Sequence, residues 1–274
     1  MRIKVLPAIT VICGCLVSSV AVAAERNAVI TGIQSPVGMI YDKQGVLYVA
    51  EWGTGKISRF DASGNRATVT DSIRNPSGLA FDDNGVLYIA SYEDGGIYAL
   101  ESGKGPRKVA AGFSSPTGLL WSRDNRLLVA NRNAGEVVRL HADGRKEIIS
   151  RNHKTPVGLA QTGDGSIFVS CYGGSVDRIA PNGEVSSVYT GLNTPGVGII
   201  ADGPDRVLVV DYGGTTVARV DAQGKASTVV NGLRSPVGLT RMPDGRLLVG
   251  TWADNAACAF EIGKGEKEDA FRPL

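Results

Sequence analysis

A segment of eighteen residues, Ser35 to Trp52, returns five more times at intervals of forty residues. SPVGMIYDKQGVLYVAEW is followed by NPSGLAFDDNGVLYIASY (75–92), SPTGLLWSRDNRLLVANR (115–132) and TPVGLAQTGDGSIFVSCY (155–172). PGVGIIADGPDRVLVVDY (195–212) and SPVGLTRMPDGRLLVGTW (235–252) complete the series. Gly38, Gly78, Gly118, Gly158, Gly198 and Gly238 keep step throughout. A fixed period of this length marks a repeat architecture, in which each copy is one supersecondary unit that cannot bury its apolar face alone.

Each copy reads as strands. Val37–Tyr41 and Val46–Ala50 are runs of β-formers. The turn between them ends on Gly45, Gly85, Asn125, Gly165, Asp205 or Gly245, residue types that tolerate a positive φ. That is hairpin chemistry, so the two strands are expected to be antiparallel neighbours. A third strand is expected near Lys56–Phe60, a turn at Asp61–Gly64, and a fourth strand near Arg66–Thr70. Four short strands per repeat without helical periodicity describe a blade of a β-propeller. The expected fold is all-β, a six-bladed β-propeller of four-stranded antiparallel blades, whose ring leaves no long exposed sheet edge. Arg26–Thr31, ahead of the first repeat, matches Lys225–Val230, the fourth strand of repeat five. The N-terminal strand at Asn27–Thr31 is therefore expected to complete the sixth blade beside Ala256–Ile262.

The repeat resembles the NHL family, whose pattern is met by Pro36, Gly38, Asp42, Gly45, Leu47, Tyr48, Val49 and Ala50. Pro76, Gly78, Asp82, Gly85, Leu87, Tyr88, Ile89 and Ala90 meet it again, and all six copies share the likeness. The resemblance implies the propeller; it does not imply one activity, because such folds host enzymes and binding modules alike.

The chain ends constrain location. Arg2 and Lys4, the apolar run Val5–Val20 and Ala21-Val22-Ala23 read as a secretory signal peptide over 1–24, leaving a single domain over 25–274. Ile12-Cys13-Gly14-Cys15 loosely resembles a lipoprotein box, but the apolar residues continuing past Cys15 argue against it. A periplasmic or secreted monomer without a transmembrane segment is expected. With Arg2 and Lys4 set aside, the 29 basic residues become 27 and equal the 27 acidic ones. No basic run occurs, so nucleic-acid binding is not expected. Cys171 and Cys258 lie in repeats four and six with a blade between them, so no bridge is expected.

In a hairpin the start of the first strand and the end of the second share one edge. The propeller resemblance puts the first strand along the central channel. The mouth is then ringed by Val37, Ser77, Thr117, Val157, Val197 and Val237. A second ring is Glu51, Ser91, Asn131, Cys171, Asp211 and Thr251, and beside it lie Trp52, Tyr92, Arg132, Tyr172, Tyr212 and Trp252. The copies differ most here. Trp52, Trp252 and the three tyrosines suit either an aromatic rim for a flat or glycan-like ligand or a filling between blades.

Six-bladed lactonases, the gluconolactonase and senescence marker protein superfamily, are distantly similar. They hold a divalent metal largely through residues between the Pro-like position and the glycine. Here that position reads Val, Ser, Thr, Val, Val, Val, so no metal is expected there. Streptogramin lyases place histidines near the mouth, and none occupies that position here. A substitute set for calcium or magnesium is Glu51, Asn131 and Asp211; the alternative is that Glu51 and Asp211 occupy the usual acidic position of the resembled repeat and bond nearby backbone. His153, which replaces an apolar residue ahead of the first strand, is a candidate general base or a loop cap. Cys171 is a candidate nucleophile or a small buried residue, and His141 is expected in solvent. The expected function is a binding scaffold for a small ligand or protein at the mouth, through Glu51, Trp52, Asn131, Arg132, Tyr172, Asp211, Tyr212 and Trp252. The alternative is a lactonase-like hydrolase or lyase using Glu51, His153 and Asp211.

Overall fold

The computed structural model describes residues 27–262. The signal peptide, the lipoprotein box and the charged tail EKEDAFRPL lie outside the described residues. Five sheets are built from consecutive strands, and a sixth joins the two ends of the described chain. The first blade holds β2 (Pro36–Tyr41), β3 (Leu47–Glu51), β4 (Lys56–Phe60) and β5 (Arg66–Thr70). The sixth holds β22 (Pro236–Arg241), β23 (Leu247–Thr251) and β24 (Ala256–Phe260), with β1 (Asn27–Thr31) antiparallel beside β24. Thr31 pairs with Ala256 and Asn27 with Ala259.

Burial explains the strand order. The second strand of each blade is sealed on both faces: Leu47, Val49 and Ala50 are no more than 2% exposed. The outermost strand, Arg66–Thr70 in blade one, is exposed or half-buried throughout and carries polar residues. Apolar side chains of adjacent blades meet in six clusters around the ring. Ile57 and Leu79 mark the one between blades one and two, and Leu239 and Val210 the one between blades five and six. Turn chemistry agrees with the sequence in blades one to four and six, where Gly45, Gly85, Asn125, Gly165 and Gly245 have positive φ. Blade five departs: the positive φ, 125°, falls on Gly203 instead of Asp205.

The repeat glycines set how closely blades approach. A Cβ on Gly38 would lie 2.2 Å from the Ser77 carbonyl oxygen, and one on Gly78 would lie 2.1 Å from that of Thr117. The pattern continues through Gly118 against Val157, Gly158 against Val197 and Gly198 against Val237, and returns with Gly238 against Val37. Each glycine abuts the mouth residue of the next blade, a spacing only a residue without Cβ permits.

Candidate functional site

The mouth ring and the residues beside the second ring line one cavity of about 180 Å³ at the channel mouth. Its floor is Val37, Ser77, Thr117, Val157, Val197 and Val237, and its wall is Trp52, Tyr92, Arg132, Tyr172, Tyr212 and Trp252. Gly196 is an additional lining residue. Blade five reads Pro195-Gly196-Val197 where the others read Pro-x-Gly, and its ladder skips from Pro195 to Ile199. Pro195 keeps the ladder place of the repeat proline, facing Asp211 as Pro36 faces Glu51, and Gly196 is an extra residue between it and Val197; the proline standing one place early was the signal in the sequence.

The wall is held by its backbone. Ser35, Asn75, Ser115, Thr155 and Ser235 precede the repeat proline with φ between 42° and 63°, a left-handed conformation that non-glycine residues rarely adopt. Their carbonyls receive the wall residues in four blades: the N–H groups of Trp52, Tyr92, Tyr172 and Trp252 donate to Ser35, Asn75, Thr155 and Ser235 at 2.8–3.2 Å. In blade three Arg132 opens a single 3₁₀ turn over Arg132–Ala134, closed by Gly135 in the left-handed region.

The wall side chains form an unbroken belt. Trp52 meets Tyr92 edge to face with centroids 4.8 Å apart. Arg132 lies 5.8 Å from the Tyr92 ring centre and 5.2 Å from that of Tyr172. Tyr172 stacks on Tyr212 at 6.3 Å, Tyr212 meets Trp252 at 5.6 Å, and Trp252 returns to Trp52 at 6.4 Å. The aromatic residues thus do both things the sequence allowed, bridging neighbouring blades and lining the mouth.

The second ring faces elsewhere. Glu51, Asn131 and Asp211 end their strands, and none of the three lines the cavity that Trp52, Arg132 and Tyr212 face. Glu51 is fully buried and accepts from the Gln34 N–H at 2.8 Å, from the Ser58 hydroxyl and from Arg66. Asn131 Oδ1 accepts from the Ser114 N–H at 2.7 Å. Asp211 accepts from Asn193 and Thr194 N–H groups at 3.0 and 2.7 Å. These are ties to the connector backbone, and the three residues are not brought together. At the position the lactonase resemblance would use, Ser77 and Thr117 supply the only hydroxyls, and both donate to backbone carbonyls. A hard divalent cation, which wants six to eight oxygens, does not fit this lining.

His153 occupies the plug position of Ile33, Ile73, Phe113 and Leu233, and like them it is buried. Its Nδ1 is 2.8 Å from Asp177 Oδ2 and its Nε2 is 2.7 Å from the Ser150 hydroxyl. Cys171 Sγ approaches the same Asp177 oxygen at 3.3 Å, and Ser175 donates to Oδ1 at 3.0 Å. The three metal-ligand-type atoms lie within 4.8 Å of one another, yet Asp177 already accepts from the imidazole and the thiol. Burial works to raise the Asp177 pKa, but hydrogen bonds from His153, Cys171 and Ser187 outweigh it and lower it. Burial, with the Asp177 charge beside it, pushes the Cys171 thiol far up, so it is not a thiolate nucleophile. His141 is half-buried, not solvated: its Nε2 is 2.8 Å from Glu147 Oε2. No disulfide joins Cys171 to Cys258, and among the described residues no helix is long and apolar enough to cross a membrane.

No family model matches the chain, and no curated protein matches it. Solved structures do. A gluconolactonase from Xanthomonas campestris aligns with TM-score 0.73 at 16% identity, covering 84% of this chain and 88% of that one. Regucalcin from Agrobacterium tumefaciens, described as a calcium-binding protein, aligns with TM-score 0.71 at 16% identity over 85% and 91%. A streptogramin B lyase aligns with TM-score 0.69 at 16% identity over 87% and 97%. At these identities the likeness establishes the fold, a six-bladed propeller with which the NHL-type repeat is consistent.

Proposed function

We propose that this protein is an exported propeller whose channel mouth binds a small ligand. The observation that carries the reading is the closed belt of five aromatic rings and one guanidinium above an apolar floor. Concave sites lined by apolar and aromatic groups with a few polar ones are where small molecules are held. A cavity of about 180 Å³ suits a single ring better than a segment of a protein partner. Titration of the mature chain with a panel of ring compounds, followed by indole fluorescence, tests the reading. Trp52 and Trp252 stand in the wall, so occupancy should change their emission, and Trp52→Ala should abolish saturable binding while the protein stays folded. Absence of saturable binding across the panel would overturn it. Export is tested separately by fractionation and by mass measurement of the mature N-terminus.

A lactonase-like hydrolase or lyase is the second reading, favoured by the fold likeness to a gluconolactonase. A lactone ring has the same size as the ligand proposed above, but the cavity lining includes no carboxylate, amide or imidazole. Hydrolysis of lactones by the purified chain, lost in Arg132→Gln or in Tyr172→Phe/Tyr212→Phe, would favour this reading over binding alone.

A further inference from the structure

We infer that the mouth selects a planar ring bearing one carboxylate, an aromatic monocarboxylate of about benzoate size; this rests on the reading of the mouth as a ligand site. The argument begins with which polar atoms the cavity offers. Ser77 and Thr117 have committed their hydroxyl protons to backbone carbonyls, and Trp252 Nε1 donates to the Pro36 carbonyl at 3.0 Å. The groups without a hydrogen-bond partner among the described residues are Arg132 Nε and Nη2, the Tyr172 and Tyr212 hydroxyls, and Trp52 Nε1. Guanidinium and indole can only donate, and a tyrosine hydroxyl can donate. A donor-rich cavity calls for a ligand rich in acceptors.

Charge narrows the class. Carboxylates on the neighbouring turns each have a base: Asp94 with Lys108 at 3.0 Å, Asp254 with Arg234 at 2.7 Å, and Glu93 with Arg74 at 3.8 Å. Among the described residues Arg132 has no carboxylate partner. Its Nη1 contacts only the Tyr92 hydroxyl at 3.1 Å and Asn133 Oδ1 at 2.9 Å. It also borders the flank depression between blades three and four, where Arg151 and Lys154 stand against a single acid, Glu136, already bonded to Arg151 at 2.8 Å. The rim is cationic on that side. Aromatic walls alone would equally suit a quaternary ammonium ligand. Arg132 decides against it: the protein's own cation already lies against Tyr92 and Tyr172 and would repel a second one. A guanidinium matches a carboxylate geometrically, through paired N–H donors.

Size and shape complete the argument. An apolar cavity of roughly 150 Å³ holds one benzene, so about 180 Å³ leaves room for one ring and one small substituent. The floor of Val37, Val157, Val197 and Val237 meets the ring, while Trp52, Tyr212 and Trp252 surround it.

The test compares sodium benzoate, benzamide, benzyl alcohol and benzyltrimethylammonium on the full mature chain by calorimetry and indole fluorescence. Benzoate should bind one to one, about tenfold or more tighter than benzamide, as expected of a charged hydrogen bond in a partly desolvated site, and more weakly as salt is raised. The ammonium probe should not bind. Arg132→Gln should reduce benzoate to the level of benzamide without lowering the melting temperature. Because benzoate and benzamide are compared on the unaltered protein, the result does not depend on a variant folding. If benzamide, benzyl alcohol or the ammonium probe binds as tightly as benzoate, this inference is wrong and the ligand site stands. If none of the four binds, both fall.

Discussion

The Nη1 of Arg132 donates to the Tyr92 hydroxyl at 3.1 Å, joining residues that hold the same position in adjacent repeats. The contact ties the one cation of the belt to its neighbour and leaves Nε and Nη2 without a partner among the described residues. Tyr92→Phe should therefore loosen the guanidinium without removing it. We expect anionic probes to bind two- to fivefold more weakly, with a stability change below about 1 kcal/mol, the scale of one half-exposed hydrogen bond. Paired titration and urea unfolding check this.

His153 is a hydrogen-bond partner of the buried carboxylate of Asp177. His153→Leu restores the side chain found at Leu233 but removes one donor from the buried Asp177, which keeps Cys171 and Ser175, and losing a partner of a buried polar group costs about 1–3 kcal/mol. His153→Leu/Asp177→Val should recover much of that loss, because Val fits a position that is already Val138 in blade three. Equal stability of His153→Leu and the parent protein in urea would refute the assignment.

Acid should act through Asp94. Burial opposes its charge, but hydrogen bonds from Tyr98, Ser91, Lys108 and Gly96 prevail and hold it at about 2. A depressed carboxylate contributes stability above its unfolded pKa of about 3.9, and the contribution fades as pH falls toward the folded value. Melting temperature should thus decline between about pH 4 and pH 2. Asp94→Asn should melt lower at neutral pH and lose part of that decline; an unchanged slope would count against the network.

The repeat glycines are open to a matched pair. Gly78→Ala drives a methyl toward the Thr117 carbonyl oxygen and the Leu119 nitrogen, at 2.1 and 2.6 Å. It should cost on the order of 3 kcal/mol, the upper range for overpacking. Gly105→Ala, with open space around it and no left-handed φ, should be neutral or stabilising by a few tenths of a kcal/mol through the unfolded chain. Chemical denaturation of both variants measures the difference.

Divalent ions should leave the fold indifferent. Glu51, Asn131 and Asp211 spend their oxygens on connector N–H groups, so calcium or a chelator should shift the melt by no more than about 1 °C, since only a ligand bound to the native state adds stability. A fall of many degrees in chelator would instead assign those residues to an ion.

The blades and the mouth were legible because the repeat register carries them. Once Gly38 and its five equivalents align, the hairpin places Val37 and Trp52 on one edge, and both line the cavity. The direction of Glu51, Asn131 and Asp211 was not legible in the same way, because each strand ends at that residue and the side chain is turned by its bond to a connector N–H that the repeat register does not display. The His153–Asp177–Cys171 network was hidden for another reason. Its members lie up to 24 residues apart, on a connector and two strands, and only folding shows that a histidine in an apolar slot has a carboxylate waiting behind it.

The glycine-to-carbonyl contacts run from blade to blade and return to their start, with Gly238 against Val37. The bore of the channel is therefore a backbone dimension, like the gauge of a ring cut to a fixed number of segments. The belt residues hang on that gauge without setting it, since in four blades their main-chain anchors lie in the strained residues before the proline. On the proposed reading of the mouth, calibre and chemistry are separate variables, because the contacts that set its width involve none of the six belt side chains.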